Sequence, residues 1–489
     1  MMKKTTILTL SAALASQLMG AEDLSEMIKE GKAGGYVRIH HIEPAFSDTV
    51  AATGSVIGGK LKYQTGALYG LRFGAAAYTT HDTGLTKWDY KTRDGYSQVA
   101  QGLHGDDFDN YTTLGEAYAS YHLSNTDITY GRQEFKTPMT ENAVTIIPNL
   151  FEGTVATIKE IPDVTITAAH IVRMQYGTRS ATDKNLIGDG AYGITAGAGL
   201  GLVTADVNTT TGLTNNPTLV YGKEDFQDMS DATVGKDKID TAGVTTLGID
   251  YAKGAFKARV WDYYAHEMYN TVYGDLEYKM DAGPAKVTLG AQILKQDDVG
   301  DFTTSAGGTA LKTAATIKNL KGQVLYKTKI STDGSIDATA WGLQAKADVG
   351  SFSFMAAYNQ NKDGHIINAW GGDPLYTSMI FARNEYRANT TAYKVGMDYN
   401  FENLGIPGLK FTLQHAAYNT ELDPSNVTSI SYANGFGGYT ENTNAQDYIL
   451  HYTVPSVKGL WFRLFHEERD NDTRNYEQSH TRLIANLSF

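Results

Sequence analysis

Apolar and polar residues alternate one for one along much of the chain. In LKFTLQHAAY, Leu409, Phe411, Leu413 and Ala417 share one face of an extended segment, and Lys410, Thr412 and Gln414 the other. WGLQAKADV repeats the pattern, with Trp341, Leu343, Ala345 and Val349 set against Gln344, Lys346 and Asp348. Eighteen such segments run from 35–45 to 479–489, among them 57–68, 111–123, 126–135, 390–400 and 409–419. Short connections include Ser124–Thr126, Pro162-Asp163, Lys253–Ala255 and the step from Val349 to Ser351, and long polar ones are 81–110, 177–242, 297–337, 362–389 and 420–444. An even strand count with short turns on one side and long loops on the other predicts an all-β fold, a transmembrane antiparallel up-and-down β-barrel of about 18 strands. A soluble sandwich has no reason to keep that order. The chain ends LIANLSF, still alternating at Phe489, so the last strand is expected to pair with the first near Tyr36–His41 and close the ring.

Composition adds the compartment. The opening stretch carries Lys3 and Lys4, an apolar run from Thr6 to Leu14 and small residues at Gly20 and Ala21, the layout of a secretory signal peptide over residues 1–21. Residues 22–489 then read as a single transmembrane barrel, because no Pro-rich linker, charge block or long helical period divides them. No later segment holds the roughly 20 consecutive apolar residues of a helical span. The formal charge of −12 argues against a nucleic-acid partner, and the absence of Cys excludes disulfides and thiolate metal sites.

One connection departs from the polar pattern. After DITYGRQEF comes KTPMTENAVTIIPNLFEG, whose Val144, Ile146, Ile147 and Leu150 are too apolar for water. Residues 136–151 are therefore expected to fold inward as a constriction loop, with Lys136, Pro138, Glu141, Asn142, Thr145 and Pro148 at the pore; the alternative is one more lipid-facing strand. Trp461, Tyr452 and Tyr448, near strand ends, suit the aromatic girdles at the membrane surfaces.

GEAYASYHL, TYGRQEF, Thr137-Pro138 and IIPNLFEG resemble the OprD family of outer-membrane porins, including the related major porins of epsilonproteobacteria. The resemblance implies an 18-stranded channel with an inward third loop and a ladder of basic residues, passing carboxylate-bearing solutes such as amino acids, peptides or organic acids. It also makes a homotrimer plausible, to which the small outward faces Ala75, Ala77, Ala117 and Ala119 are suited. The terminal Phe resembles the assembly signal of bacterial outer-membrane barrels. One departure stands out: many members carry an Asp-Ser-Arg run before the loop's Leu-Pro, where this chain has Ala143, Val144 and Thr145.

Alternation independently places Arg463, Arg482, Arg38, Lys60, Lys62 and Arg72 inward on five consecutive strands of the closed ring, a basic arc. It places Glu116, Asp250, Asp275 and Glu277 inward elsewhere on the circumference, while Arg132 and Asp262 fall on the outward parity. Charges separated across a narrow lumen orient zwitterions and anions. Enzyme motifs are weak. GSVIGGKL has Leu61 where a phosphate loop needs Ser or Thr, and HEMYN and HEERD lack a second His. GAGLGL at Gly197 lacks a βαβ context. Asp106, Asp107 and Asp109 in GDDFDN could bind calcium weakly, though a solvated acidic loop fits better; no other cofactor is implied. The expected function is a passive, non-enzymatic porin in the bacterial outer membrane, among lipid and lipopolysaccharide. The alternative is a barrel that sheathes an export or electron-transfer complex, which would need a wide, empty lumen.

Overall fold

The structure, a computed structural model, describes residues 21–46, 53–86, 103–105, 110–141, 145–178, 204–207, 214–218, 224–234, 239–305, 308–309, 312, 315–318, 324–328, 331, 333–368, 370–380, 382–421, 427–430, 440–471 and 476–489. The expected signal segment through Gly20, the acidic Asp106, Asp107 and Asp109, and Asn142 lie outside the described residues.

Eighteen strands form the barrel: β1 (Lys32–Phe46), β2 (Gly54–Gln64), β3 (Leu71–Asp82), β4 (Tyr111–Leu123), β5 (Thr126–Gln133), β6 (Leu150–Ile158), β7 (Val164–Gln175), β8 (Val244–Lys253), β9 (Phe256–Ala265), β10 (Tyr269–Ala282), β11 (Ala285–Asp298), β12 (Asp337–Val349), β13 (Phe352–Asp363), β14 (Thr390–Asn400), β15 (Leu409–Glu421), β16 (Thr440–Thr453), β17 (Leu460–Asn471) and β18 (Tyr476–Ser488). Each pairs antiparallel with its neighbours, and a two-residue strand at Gln227–Asp228 adds to the sheet beside β7. The ring closes where β1 meets β18, from Tyr36 opposite Ser488 to Phe46 opposite Gln478. Closure is obligatory in lipid, because an open edge would leave backbone N–H and C=O groups without partners, at several kcal/mol each.

The tight turns sit at the end that carries both strand termini. Lys253 pairs with Phe256, and Val349 with Phe352, around two-residue hairpins whose first residues, Gly254 and Gly350, have φ of 58° and 59°. Glycine takes this left-handed conformation without the Cβ clash that other residues suffer. At the same end a short helix α1 (Leu24–Lys29), capped by the Asp23 carboxylate, rests on the β2–β3 turn through Gly66 N–H to Met27 O at 2.8 Å. The other end bears the long connections, which add a hairpin of 204–207 with 214–218, a three-stranded sheet of 315–318, 324–328 and 427–430, and helix α2 (Met229–Val234).

Alternation holds along the strands. On β12, Leu343 is half exposed to the surroundings while Ala338, Ala340 and Gln344 are buried inside. A bulge at Gly115 on β4 turns Leu114 outward although it is only two residues from the inward Glu116. The apolar core lies inside the barrel. Phe135 and Met139 of the third long connection, and Ile366, Ile367, Trp370 and Leu375 of the seventh, pack on Trp261, Tyr263, Tyr269 and Tyr273 of β9 and β10. A charge at mid-strand on the outer face should therefore be costly. Leu343→Arg is expected to lower folding stability in lipid vesicles by about 2–4 kcal/mol, read from urea titration of the refolded protein.

Candidate functional site

The lumen is narrowed by two inward loops, one held mainly by β1–β3 and the other by β9–β16, which meet inside it. The third loop, described over residues 134–141 and 145–149, leaves β5 and turns inward, and these residues form no additional lipid-facing strand. Its Ile146 and Ile147 are fully buried against Val56, Ala76 and Tyr78. Two side chains of β1 hold its backbone: the Tyr36 hydroxyl donates to Ile146 O at 2.7 Å, and the Arg38 guanidinium donates to Thr145 O. Thr145 is buried, Pro138 and Pro148 are half-buried, and Lys136 and Glu141 are exposed.

The seventh loop, described over residues 364–368, 370–380 and 382–389, also folds inward, where the sequence predicts a polar connection. Trp370 packs between Tyr263 and Tyr269, with ring centroids 6.0 and 5.7 Å away. Wall side chains take up its backbone groups. Gln296 binds both N–H and C=O of Ile367, Asn359 accepts from Thr377 N–H at 2.9 Å, Lys394 donates to Ser378 O at 2.7 Å, and Tyr418 donates to Thr377 O at 2.9 Å. Arg387 and Glu441 form a buried ion pair at 3.0 Å. The two loops also touch, through Asn149 to Trp370 O at 3.0 Å and Gly372 N–H to Met139 O at 2.9 Å. The sequence signal for this second loop was present in Ile366, Ile367, Trp370, Leu375 and Met379, as apolar a set as the one that marked the third loop.

All six expected cations lie on the inward rows of β17, β18, β1, β2 and β3, but their surroundings differ. Lys60 contacts Glu116 and Glu134, each at 2.6 Å, and Lys62 contacts Glu116 at 2.6 Å. Tyr78 donates to both carboxylates, at 2.7 and 2.9 Å. The expected separation of acids from the arc thus fails at Glu116, which sits within it; Glu134, at the root of the third loop, joins it there. Burial would raise the Glu134 carboxyl, but the Lys60 charge and the hydrogen bonds from Lys60 and Tyr78 hold it down to about 2. Arg72 lies 3.9 Å from Asp127. Arg482, nearly buried, bonds His480 at 2.7 Å.

Arg38 and Arg463 are different. Among the described residues neither has a carboxylate partner: Arg38 binds the Asn486 amide oxygen at 2.9–3.0 Å, and Arg463 lies 3.4 Å from His451 Nδ1. Both guanidinium groups lie against Trp461, at 5.6 and 5.4 Å from the ring centre. Trp461 therefore faces the lumen, on the same side as Arg463 two residues on, and not the outer girdle; Tyr448 and Tyr452 keep the outward parity of Leu450. Of the expected acids, Asp250 accepts from Trp261 Nε1 at 3.1 Å, Asp275 binds Arg259 Nε and the Tyr273 hydroxyl at 2.9 Å each, and Glu277 lies 3.4 Å from Gln344 Nε2. Arg132 faces Glu152 across the β5–β6 ladder at 3.0 Å.

Within the seventh loop, Glu385 is buried beside Ser378, Asp373, Tyr386 and the Lys394 ammonium of β14. Burial, reinforced by Asp373 and opposed by the Ser378 hydrogen bond and the Lys394 charge, pushes its carboxyl up to about 8. The packed loop therefore retains a proton that a solvated Glu385 would release. Its packing is fully favoured below the ordinary pKa of 4.5 and weakens as pH rises to about 8. Single-channel currents are expected to become noisier and larger across that window, and Glu385→Gln, which keeps the neutral form, should flatten the trend.

The sequence matches the model of the OprD family, described as outer membrane porin, over residues 71–216 and 218–489. No curated protein matches it significantly. Solved structures share the fold. Pseudomonas aeruginosa OccK8 (OprE) superposes with a TM-score of 0.66 at 16% identity, covering 95% of this chain and 99% of that one. OccK5 (OpdH) and OpdK with vanillate, from the same organism, give 0.63 and 0.64 at 16% identity with the same coverage.

Proposed function

The chain belongs to the OprD family of outer-membrane porins, and from that premise we propose a filter that favours small carboxylate-bearing solutes such as amino acids, peptides or organic acids. As a member of that family it resides in the bacterial outer membrane and is a passive channel for small solutes, not an enzyme.

The observation that carries the selectivity reading is the pair Arg38 and Arg463, inward cations without a carboxylate partner among the described residues. Arg482 lies on the same arc, bonded to His480, while Lys60 and Lys62, tied to Glu116 and Glu134, contribute little net charge. Asp250 and Glu277 lie on β8 and β10, across the ring, where Asp275 beside them is tied to Arg259. A narrow passage between a positive and a negative wall draws in anions and aligns zwitterions with carboxylate toward the arginines. Solutes enter among the long loops, pass between the third and seventh loops and leave at the tight-turn end, driven only by their own gradient. The vanillate of the OpdK structure is itself a carboxylate, which supports the solute class.

The two inward loops speak against the sheath reading, which needs a wide, empty lumen. We place lipopolysaccharide against the outer face at the long-loop end. We assign a homotrimer to the small outward face where Ala75 lies directly opposite Ala117. Residues 1–21 are taken as the export signal.

The test is the reversal potential of single channels under a potassium chloride gradient. Anion preference is expected, and Arg38→Gln with Arg463→Gln should remove roughly half or more of it. Cation preference in the wild type, unchanged in the double variant, would overturn the filter while leaving the porin.

A further inference from the structure

Both unneutralised arginines share one neighbour. Trp461 on β17 stands opposite Asn486 on β18, and Asn486 stands opposite Arg38 on β1, so the three occupy one inward row across the seam. Arg463, two residues beyond Trp461, occupies the next inward row with His451 opposite it on β16. The Arg38 guanidinium also lies over Tyr36, 4.5 Å from its ring centre, and the imidazole of His451 lies 5.4 Å from the Trp461 ring.

We infer that Trp461 is a specificity-determining residue of the channel: its indole holds the Arg38 and Arg463 guanidinium groups on the lumen wall without cancelling their charge. The inference rests on the filter reading above and names the device behind it. A carboxylate at the same place would attract both cations but leave a passing anion a nearly neutral wall, as Glu116 and Glu134 do for Lys60 and Lys62. An aromatic face attracts a cation through its quadrupole and carries no net charge, so the full positive field remains available to a solute. Asn486 and His451 fit the same scheme, because each supplies a hydrogen-bond acceptor that is not an anion. Without the indole, two like charges on neighbouring rows repel, and their long side chains move apart or toward carboxylates elsewhere in the lumen. An uncharged residue thereby sets the anion preference.

Reversal potentials under a potassium chloride gradient test this in wild type, Trp461→Phe, Trp461→Leu and the Arg38→Gln/Arg463→Gln double variant. Each protein is first shown to be folded by its heat-modifiable mobility on gels, and Trp461→Met replaces the Leu variant if that one fails to fold. Trp461→Leu should lose more than half of the wild-type anion preference with every charged residue in place, and Trp461→Phe should keep most of it. If the double arginine variant shifts and Trp461→Leu does not, the inference fails and the filter stands. Equal losses in the Phe and Leu variants would also sink it, since bulk and not the aromatic face would then be at work. If the double arginine variant matches wild type, the filter itself fails.

Discussion

A peptide group that has left water must find a partner, and this one requirement shapes the protein twice over. In the wall it is met by strand pairing, which in lipid has to continue without an edge until β18 returns to β1. In the lumen it arises again, because an irregular loop packed against a wall buries N–H and C=O groups that no ladder serves. There the partners are side chains on the inward rows: Tyr36 and Arg38 for the third loop, and Gln296, Asn359, Lys394 and Tyr418 for the seventh. Polar residues that alternation sends inward therefore fasten the constriction as well as line the pore.

The inward charges divide along similar lines. Lys60, Lys62, Glu116, Glu134 and Tyr78 form a compact network beside the root of the third loop, where each cation meets a carboxylate and the cluster acts as a brace. Arg38 and Arg463 rest instead on neutral acceptors and an indole, with no carboxylate partner among the described residues. Arg38 belongs to both categories, since it also donates to Thr145 O. The residue that holds the third loop is thus one of those on which the proposed filter rests.

The period-2 pattern placed every barrel strand within a few residues, and β4 and β14 at their observed limits, because lipid on one side and water or packed loop on the other impose opposite demands on alternate residues. The inward turn of the third loop was legible for the same reason, through Ile146 and Ile147. The seventh loop was missed although Ile366, Ile367 and Trp370 carried an equal signal, since polar neighbours such as Asn368, Asp373 and Arg383 masked it. Parity gave the inward direction of Glu116 but not its partners, because reach across β3 to Lys60 and Lys62 depends on side-chain length and register. Trp461 was misassigned by its closeness to a strand end, where aromatics usually serve the membrane surface; its spacing of two from Arg463 already put both on one face.

Wall side chains hold the two loops inside the barrel, and the chain's lack of Cys gives a clean background for a direct test. The measurement is the rate at which single cysteines react with a membrane-impermeant thiol reagent in the folded, lipid-embedded protein. Lys136→Cys, on the exposed part of the third loop, should react rapidly, whereas Ile147→Cys and Ile367→Cys, both buried against the wall, should be protected until the protein is unfolded. Equal, rapid reaction at all three positions would mean that the loops stand out in water and that the wall does not hold them.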